Sequence, residues 1–168
     1  MSKINISFVC LGNICRSPMA EGIFQHLVEQ ASLANQFQVE SAGVGGWHAG
    51  EPADPRAQAT ARAHGLRLTR RARQFQPADF ARLDAIIALD TDVAEALRRL
   101  APTRADQSKV RLLREYDPLR PSTAAVAPRT ADLDVPDPYY GGPDGFEDAF
   151  QMIERSSRRL LDSLTPKV

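Results

Sequence analysis

The stretch Val9-Cys10-Leu11-Gly12-Asn13-Ile14-Cys15-Arg16-Ser17-Pro18 follows the apolar run Ile4 to Val9 and opens a segment with helical spacing of its apolar residues. A strand that ends in a thiol, then five residues, then a guanidinium and a hydroxyl before a helix, makes a phosphate cradle. It brings together a nucleophile, a planar fork of donors, backbone N–H groups and the positive end of a helix dipole. Gly12 lets the chain curl without a Cβ clash. Cys10 is read as the nucleophile and Arg16 as the fork for two oxygens of a tetrahedral oxyanion. Backbone N–H groups from Leu11 through Gly12, Asn13, Ile14 and Cys15 to Ser17 bind the rest, and the Ser17 hydroxyl donates to the sulfur when phosphate departs. The plainer alternative is a buried thiol ending a strand beside an unrelated arginine.

Outward from this loop, apolar runs of four to six residues alternate with longer segments of helical period, the pattern of a parallel sheet with covering helices. Strands are expected at Asn5–Cys10, Phe37–Ser41, Ala85–Leu89 and Val110–Leu113. Helices are expected at about Met19–Ala31, Pro55–His64, Val93–Leu100 and Gly145–Leu164. Ser17 before Pro18, and Asp54 before Pro55, each read as a cap followed by proline at the first helical position. Asp117 to Pro136, rich in proline and small residues, reads as a long surface loop.

The 168 residues are 43% hydrophobic and 25% charged, ordinary usage for one domain spanning 1–168. Lys+Arg and Asp+Glu are 21 each, so no global field draws nucleic acid or an acidic membrane, although Arg67 to Arg73 is locally basic. The N-terminal apolar run is too short for a secretory leader, and no stretch approaches the roughly 20 apolar residues of a membrane span. Two cysteines in one loop suit a reducing, cytoplasmic compartment in which thiols do chemistry. His26, His48 and His64 have no metal-ligand spacing and are read as surface or helix-end residues outside catalysis.

There is no Gly-x-x-x-x-Gly-Lys-[Ser/Thr] and no acidic cluster for magnesium, so phosphate is expected to be handled without metal, nucleotide or other cofactor. Transfer to sulfur then needs an acid to protonate the leaving oxygen. Asp137, in Val135-Pro136-Asp137-Pro138-Tyr139-Tyr140-Gly141-Gly142, is the candidate: two prolines stiffen its backbone, and Tyr139 and Tyr140 can wall a slot for an aromatic ring. A plain Asp-Pro turn is the alternative.

These segments together resemble the low-molecular-weight protein tyrosine phosphatases. The family signature Val-Cys-x-Gly-Asn-x-Cys-Arg-Ser-Pro stands at Val9 to Pro18 and its Asp-Pro-Tyr-Tyr at Asp137 to Tyr140. Landmarks recur as Ser41-Ala42-Gly43, Trp47-His48, Asp54-Pro55-Arg56, His64-Gly65 and Ala72-Arg73-Gln74. The resemblance implies a four-stranded parallel sheet with helices on both faces and the phosphate loop between the first strand and first helix. It implies hydrolysis of phosphotyrosine and aryl phosphates, with Cys10 attacking phosphorus, Arg16 binding equatorial oxygens, and Asp137 serving as acid and then as base toward water. It also implies a left-handed Asn13 supported by Ser17 and Ser41, and Trp47 at the slot's rim, where a lone tryptophan could equally be partial core. Cys15 is by resemblance the partner of a reversible disulfide with Cys10, or else a small packing residue. Relatives often carry a histidine where Arg70 stands, and Leu89-Asp90-Thr91-Asp92-Val93 departs from the family's Met-Asp-x-x-Asn.

The partners implied are a phosphotyrosine-bearing protein, a tyrosine kinase being one such, and inorganic phosphate or another oxyanion. Two rivals share the loop: a thiol-dependent arsenate reductase, which needs further cysteines that do not follow Cys15, and a phosphocysteine carrier, which needs no hydrolytic base.

Overall fold

The computed structural model describes residues 2–120, 133–142 and 144–165. Four strands, β1 (Ile4–Cys10), β2 (Phe37–Gly43), β3 (Ala85–Ala88) and β4 (Val110–Leu112), form one sheet in the order β2-β1-β3-β4. Every pairing is parallel, with Cys10 opposite Gly43 and Val9 opposite Ala88. The helices are α1 (Arg16–Gln30), α2 (Pro55–Ala63), α3 (Thr91–Leu100), a single turn α4 (Arg104–Gln107) and α5 (Asp144–Leu164).

Period-two alternation divides β1 between two cores. Ile6, Phe8 and Cys10 join α1, α2 and α5 on one face, while Val9 joins α3 on the other with Ile86, Phe75 and Phe80. Phe24 packs against Phe8 in a tilted contact and against Phe37 edge to face, at 5.4 and 5.5 Å between centroids. Each such buried side chain contributes about 1.5–3 kcal/mol through removal from water. With helices on opposite faces and strand order reversing at β1, a crevice opens beyond the carboxyl ends of β1 and β3. Cys10 and Asp90 both stand at that edge.

The second helix begins as expected, with Asp54 accepting the Arg56 N–H at 2.8 Å and Pro55 in the first turn. The first does not. It starts at Arg16, its cap is Cys15 with no side-chain hydrogen bond, and Pro18 sits in the third helical position. Proline is tolerated there because the first turn's N–H groups have no carbonyl partner. α4 went unread in the sequence; Thr103 caps it by accepting the Asp106 N–H at 3.1 Å. Asp117, expected to open a surface loop, is fully buried, bound by Arg155 Nε at 2.8 Å and Arg114 Nε at 3.0 Å. Residues 121–132 of that stretch lie outside the described residues.

Of the four arginines in the basic segment after α2, Arg70 and Arg73 pair with carboxylates, while Arg71 donates to the Gly50 carbonyl. Arg73 and Arg82 both reach Glu40 on β2 and Asp79, with Arg73 Nη2 at 3.0 Å from each carboxylate. Burial works to raise both carboxyls. The hydrogen bonds from Arg82 and Arg73, joined at Asp79 by the Gln76 N–H, outweigh it and hold them below the usual range. A depressed folded pKa gives stability that is complete above the unfolded carboxylate value, about 4, and lost as pH falls through the folded one. Glu40→Gln should therefore lower the urea midpoint at neutral pH and flatten its decline between about pH 5 and pH 2. Parallel midpoint-versus-pH curves for variant and wild type would rule this out.

Candidate active site

The residues Cys10 to Ser17 wrap around the sulfur. Cys10 is a free thiol, 3% exposed, whose Sγ accepts the Asn13 N–H at 3.3 Å and lies 2.9 Å from Ser17 Oγ. Ser17 Oγ itself accepts from Asn13 Nδ2 at 2.8 Å, and its other acceptor, the Ala42 carbonyl, is 3.4 Å away. The hydroxyl proton is thus best directed at sulfur, which is why Ser17 serves Cys10 and does not cap α1. Among the described residues the N–H groups of Leu11, Gly12, Ile14 and Cys15 donate to no protein acceptor. Uncommitted amides at an open helix N-terminus form an anion seat.

The curl of the loop is borne by Asn13 at φ 60, in the left-handed region that asparagine tolerates. Its Nδ2 donates to Ser17 Oγ and, at 3.1 Å, to Ser41 Oγ, while its Oδ1 accepts the Arg73 N–H at 3.0 Å. Gly12 has no positive φ; a Cβ there would meet the His48 ring at 3.1 Å. The glycine that close packing demands is Gly43, where a Cβ would lie 2.9 Å from the Gly12 carbonyl carbon. That accounts for Ser41-Ala42-Gly43 at the end of β2: serine for the asparagine, glycine for the loop's backbone.

Arg70 rebuilds the support behind Asn13. Ser41 Oγ donates to Glu21 Oε1 at 2.6 Å, and Arg70 Nε lies 2.8 Å from Glu21 Oε2. Burial pushes the Glu21 carboxyl up, against the Ser41 hydrogen bond and the Arg70 charge. These groups line a cavity of about 350 Å³ behind the phosphate loop, together with His26.

Arg16 is 3% exposed and committed on one side. Its Nη1 donates to Asp90 Oδ2 at 2.7 Å and to the Val135 carbonyl at 2.8 Å. Nη2 lies 3.7 Å from Asp137 Oδ2. Burial works to lower the guanidinium's pKa, but Cys10, Asp90 and Asp137 outweigh it and hold it above the ordinary value. Asp90 is the neighbour of Arg16 that sequence reading missed. It caps α3 by accepting the Val93 N–H at 2.8 Å with one oxygen and binds Arg16 with the other. The available signal was an aspartate directly after a β-strand and before a helix.

The turn that carries Asp137 is moored to β3 and α3. The Val135 N–H donates to the Leu89 carbonyl at 2.8 Å, and Asp134 accepts the Thr91 N–H at 2.7 Å. Asp137 Oδ1 accepts the Tyr139 N–H at 3.0 Å. A pocket of about 310 Å³ is lined by Cys10, Leu11, Gly12, Ile14, Cys15, Arg16, Trp47, His48, Asp137, Tyr139 and Tyr140. Asn13, Ser17 and Ser41 lie behind its floor. Trp47, 71% exposed, stands at the rim and not in the core. His48, read as a surface or helix-end residue outside catalysis, is at the same rim and paired with Glu51. His64 is the helix-end residue expected, at the end of α2, paired with Glu147 at 2.8 Å.

Cys15 shares the pocket wall but differs from Cys10. Burial above all, then the charges of Asp54, Cys10 and Asp137, push its thiol up to about 12. It is a neutral thiol at physiological pH. Among the described residues no group of His, Cys, Asp and Glu could hold a metal, and no helix is long and apolar enough to cross a membrane.

The sequence profile of the family described as "Low molecular weight phosphotyrosine protein phosphatase" matches residues 5–168. A low molecular weight protein-tyrosine-phosphatase of Streptomyces coelicolor is 55% identical over 163 residues, covering 97% of this chain and 94% of that protein. The crystal structure of a protein tyrosine phosphatase from Entamoeba histolytica with Hepes in its active site superposes with a TM-score of 0.85. It is 30% identical and covers 96% of this chain and 97% of its own. A Drosophila arginine phosphatase superposes with a TM-score of 0.84 at 32% identity, covering 97% and 99%. A thiol in an anion seat, the strand order around it and sequence likeness over almost the whole length agree, and the chain belongs to the low molecular weight phosphotyrosine protein phosphatase family.

Proposed function

We propose that the protein hydrolyses phosphotyrosine and aryl phosphates through a phosphocysteine on Cys10. The observation that carries this is the convergence of the Cys10 sulfur, the Arg16 guanidinium and the Asp137 carboxylate on one pocket. The sulfur attacks phosphorus as a thiolate, favoured by the Asn13 N–H, the Ser17 hydroxyl and the helix terminus. The S–P bond forms, the P–O bond to the aryl group breaks, and Asp137 gives its proton to the departing oxygen. Arg16 Nε and Nη2, together with the uncommitted loop N–H groups, bind the equatorial oxygens as charge spreads onto them. In the second step water attacks phosphorus, Asp137 takes its proton, and the S–P bond breaks toward a sulfur that receives the Ser17 hydrogen bond. Inorganic phosphate is the product.

Leu11, Ile14, Trp47, Tyr139 and Tyr140 make the walls apolar and aromatic above this polar floor. An aryl ring fits them without leaving donors unpaired. A phosphoguanidine would bring N–H groups whose one carboxylate acceptor among the lining residues is Asp137. Turnover of a phosphotyrosine peptide measured beside free phosphoarginine separates the two; preference for phosphoarginine would overturn the aryl reading. A phosphoprotein, such as an autophosphorylated tyrosine kinase, is the proposed partner. Under oxidants Cys10 and Cys15 are proposed to close a disulfide that protects the nucleophile, slowly, because Cys15 holds its proton.

Asp137→Ala should reduce kcat on phosphotyrosine by about 10²- to 10⁴-fold, the usual scale of a lost general acid. On p-nitrophenyl phosphate, whose phenolate leaves without a proton, the loss in phosphorylation of the enzyme should be much smaller. Burst kinetics isolate that step; equal losses on both substrates remove Asp137 from the role.

A further inference from the structure

The phosphate loop and the acid-bearing turn come from opposite ends of the sequence, and the first turn of α2 stands between them. The Asp54 N–H donates to the Ile14 carbonyl at 2.8 Å, fixing the start of α2 to the phosphate loop. The Asp54 carboxylate, 8% exposed, accepts from Arg56 Nε at 3.1 Å and Nη2 at 3.0 Å, gripping one edge of the guanidinium. From that anchor Arg56 Nη1 donates to the Tyr139 carbonyl at 3.1 Å. The guanidinium carbon also lies 5.1 Å from the centre of the Tyr139 ring and 4.8 Å from that of Phe146, the latter a buried residue of α5. Arg56 is not among the residues that line the catalytic pocket. The Tyr139 backbone it holds is the one whose N–H binds Asp137 Oδ1 at 3.0 Å.

We propose that Arg56 is a positioning residue that locks the Tyr139 backbone and, through it, sets the Asp137 carboxylate in register with the phosphate loop. This rests on the reading of Asp137 as proton donor and base. The planar guanidinium is required because it offers two N–H groups to Asp54, a third to Tyr139 and its faces to aromatic rings at once; an ammonium keeps the charge and loses that geometry.

The test uses pre-steady-state and steady-state rates on phenyl phosphate and p-nitrophenyl phosphate for Arg56→Ala, Arg56→Lys, Asp137→Ala and the Arg56→Ala/Asp137→Ala double variant. Arg56→Ala should lower the phosphorylation rate on phenyl phosphate by about 10- to 100-fold, the scale of a misplaced catalytic group, with KM little changed. The loss on p-nitrophenyl phosphate should be small. Arg56→Lys should not restore the rate, and Arg56→Ala should cost almost nothing once Asp137 is already alanine. Equal losses on the two substrates, a full further loss in the Asp137→Ala background, rescue by lysine, or no loss at all would each overturn the proposal. If Asp137→Ala itself fails to discriminate between the substrates, the reading of Asp137 falls first. If Asp137→Ala discriminates and Arg56→Ala does not, only the positioning role falls.

Discussion

Cys10→Ser should leave a protein that binds phosphate and turns over no aryl phosphate, a fall in kcat of about 10⁶-fold, the scale seen when a covalent nucleophile is removed. The proposed seat for the oxyanion is Arg16 with the backbone N–H groups of Leu11, Gly12, Ile14 and Cys15, and none of these is altered by the exchange of sulfur for oxygen. What is lost is the ionisable nucleophile: an alcohol lacks a thiol's acidity, and among the described residues no base lies within hydrogen-bond distance of the Cys10 side chain to deprotonate it. Trp47, the only tryptophan in the sequence, sits at the pocket rim, so its fluorescence can report vanadate binding to the variant. Appreciable turnover by a variant that binds vanadate normally would exclude covalent catalysis at Cys10.

Arg16→Lys should cost about 10³-fold in kcat/KM on phosphotyrosine, at the upper end of what one lost oxyanion donor does. The guanidinium satisfies Asp90 and the Val135 carbonyl with Nη1, while among the described residues Nε and Nη2 make no hydrogen bond to the protein, Nη2 lying 3.7 Å from Asp137, and are proposed to meet two phosphate oxygens. An ammonium drawn to Asp90 has no second edge to offer, so the charge is kept and the fork is lost. Retention of the charge makes the variant diagnostic. A loss within a few-fold of wild type would mean that the site needs only a positive charge near Asp90. The variant's inhibition constant for inorganic phosphate should rise along with the loss in rate, because ground state and transition state share those oxygens.

The sheet was legible because β3 is a fully buried apolar run and β1 ends in one, while β2 and β4 keep buried apolar residues on either side of an exposed Gln38 and Arg111. The phosphate loop was legible because strand, thiol, arginine and helix fall within one local stretch. Local pattern failed where a side chain had a tertiary partner. Ser17 looked like a cap and is turned to sulfur; Asp117 looked like the mouth of a loop and is buried between two arginines. Gly12 looked like the hinge, whereas the left-handed residue is Asn13 and the tight approach is at Gly43. Asp90 was hidden because its partner, Arg16, is 74 positions away. Arg70 could be seen to replace a histidine, but its route to Asn13 through Glu21 and Ser41 crosses three elements and has no local signature.

The stretch between β4 and the Asp137 turn is clamped at both its margins, by Asp117 under Arg155 at one and by Val135 on Leu89 and Arg16 at the other. Val135 is held by Leu89 and Arg16, and Asp134 by Thr91, so the turn that bears Asp137 takes its place from β3, α3 and the phosphate loop.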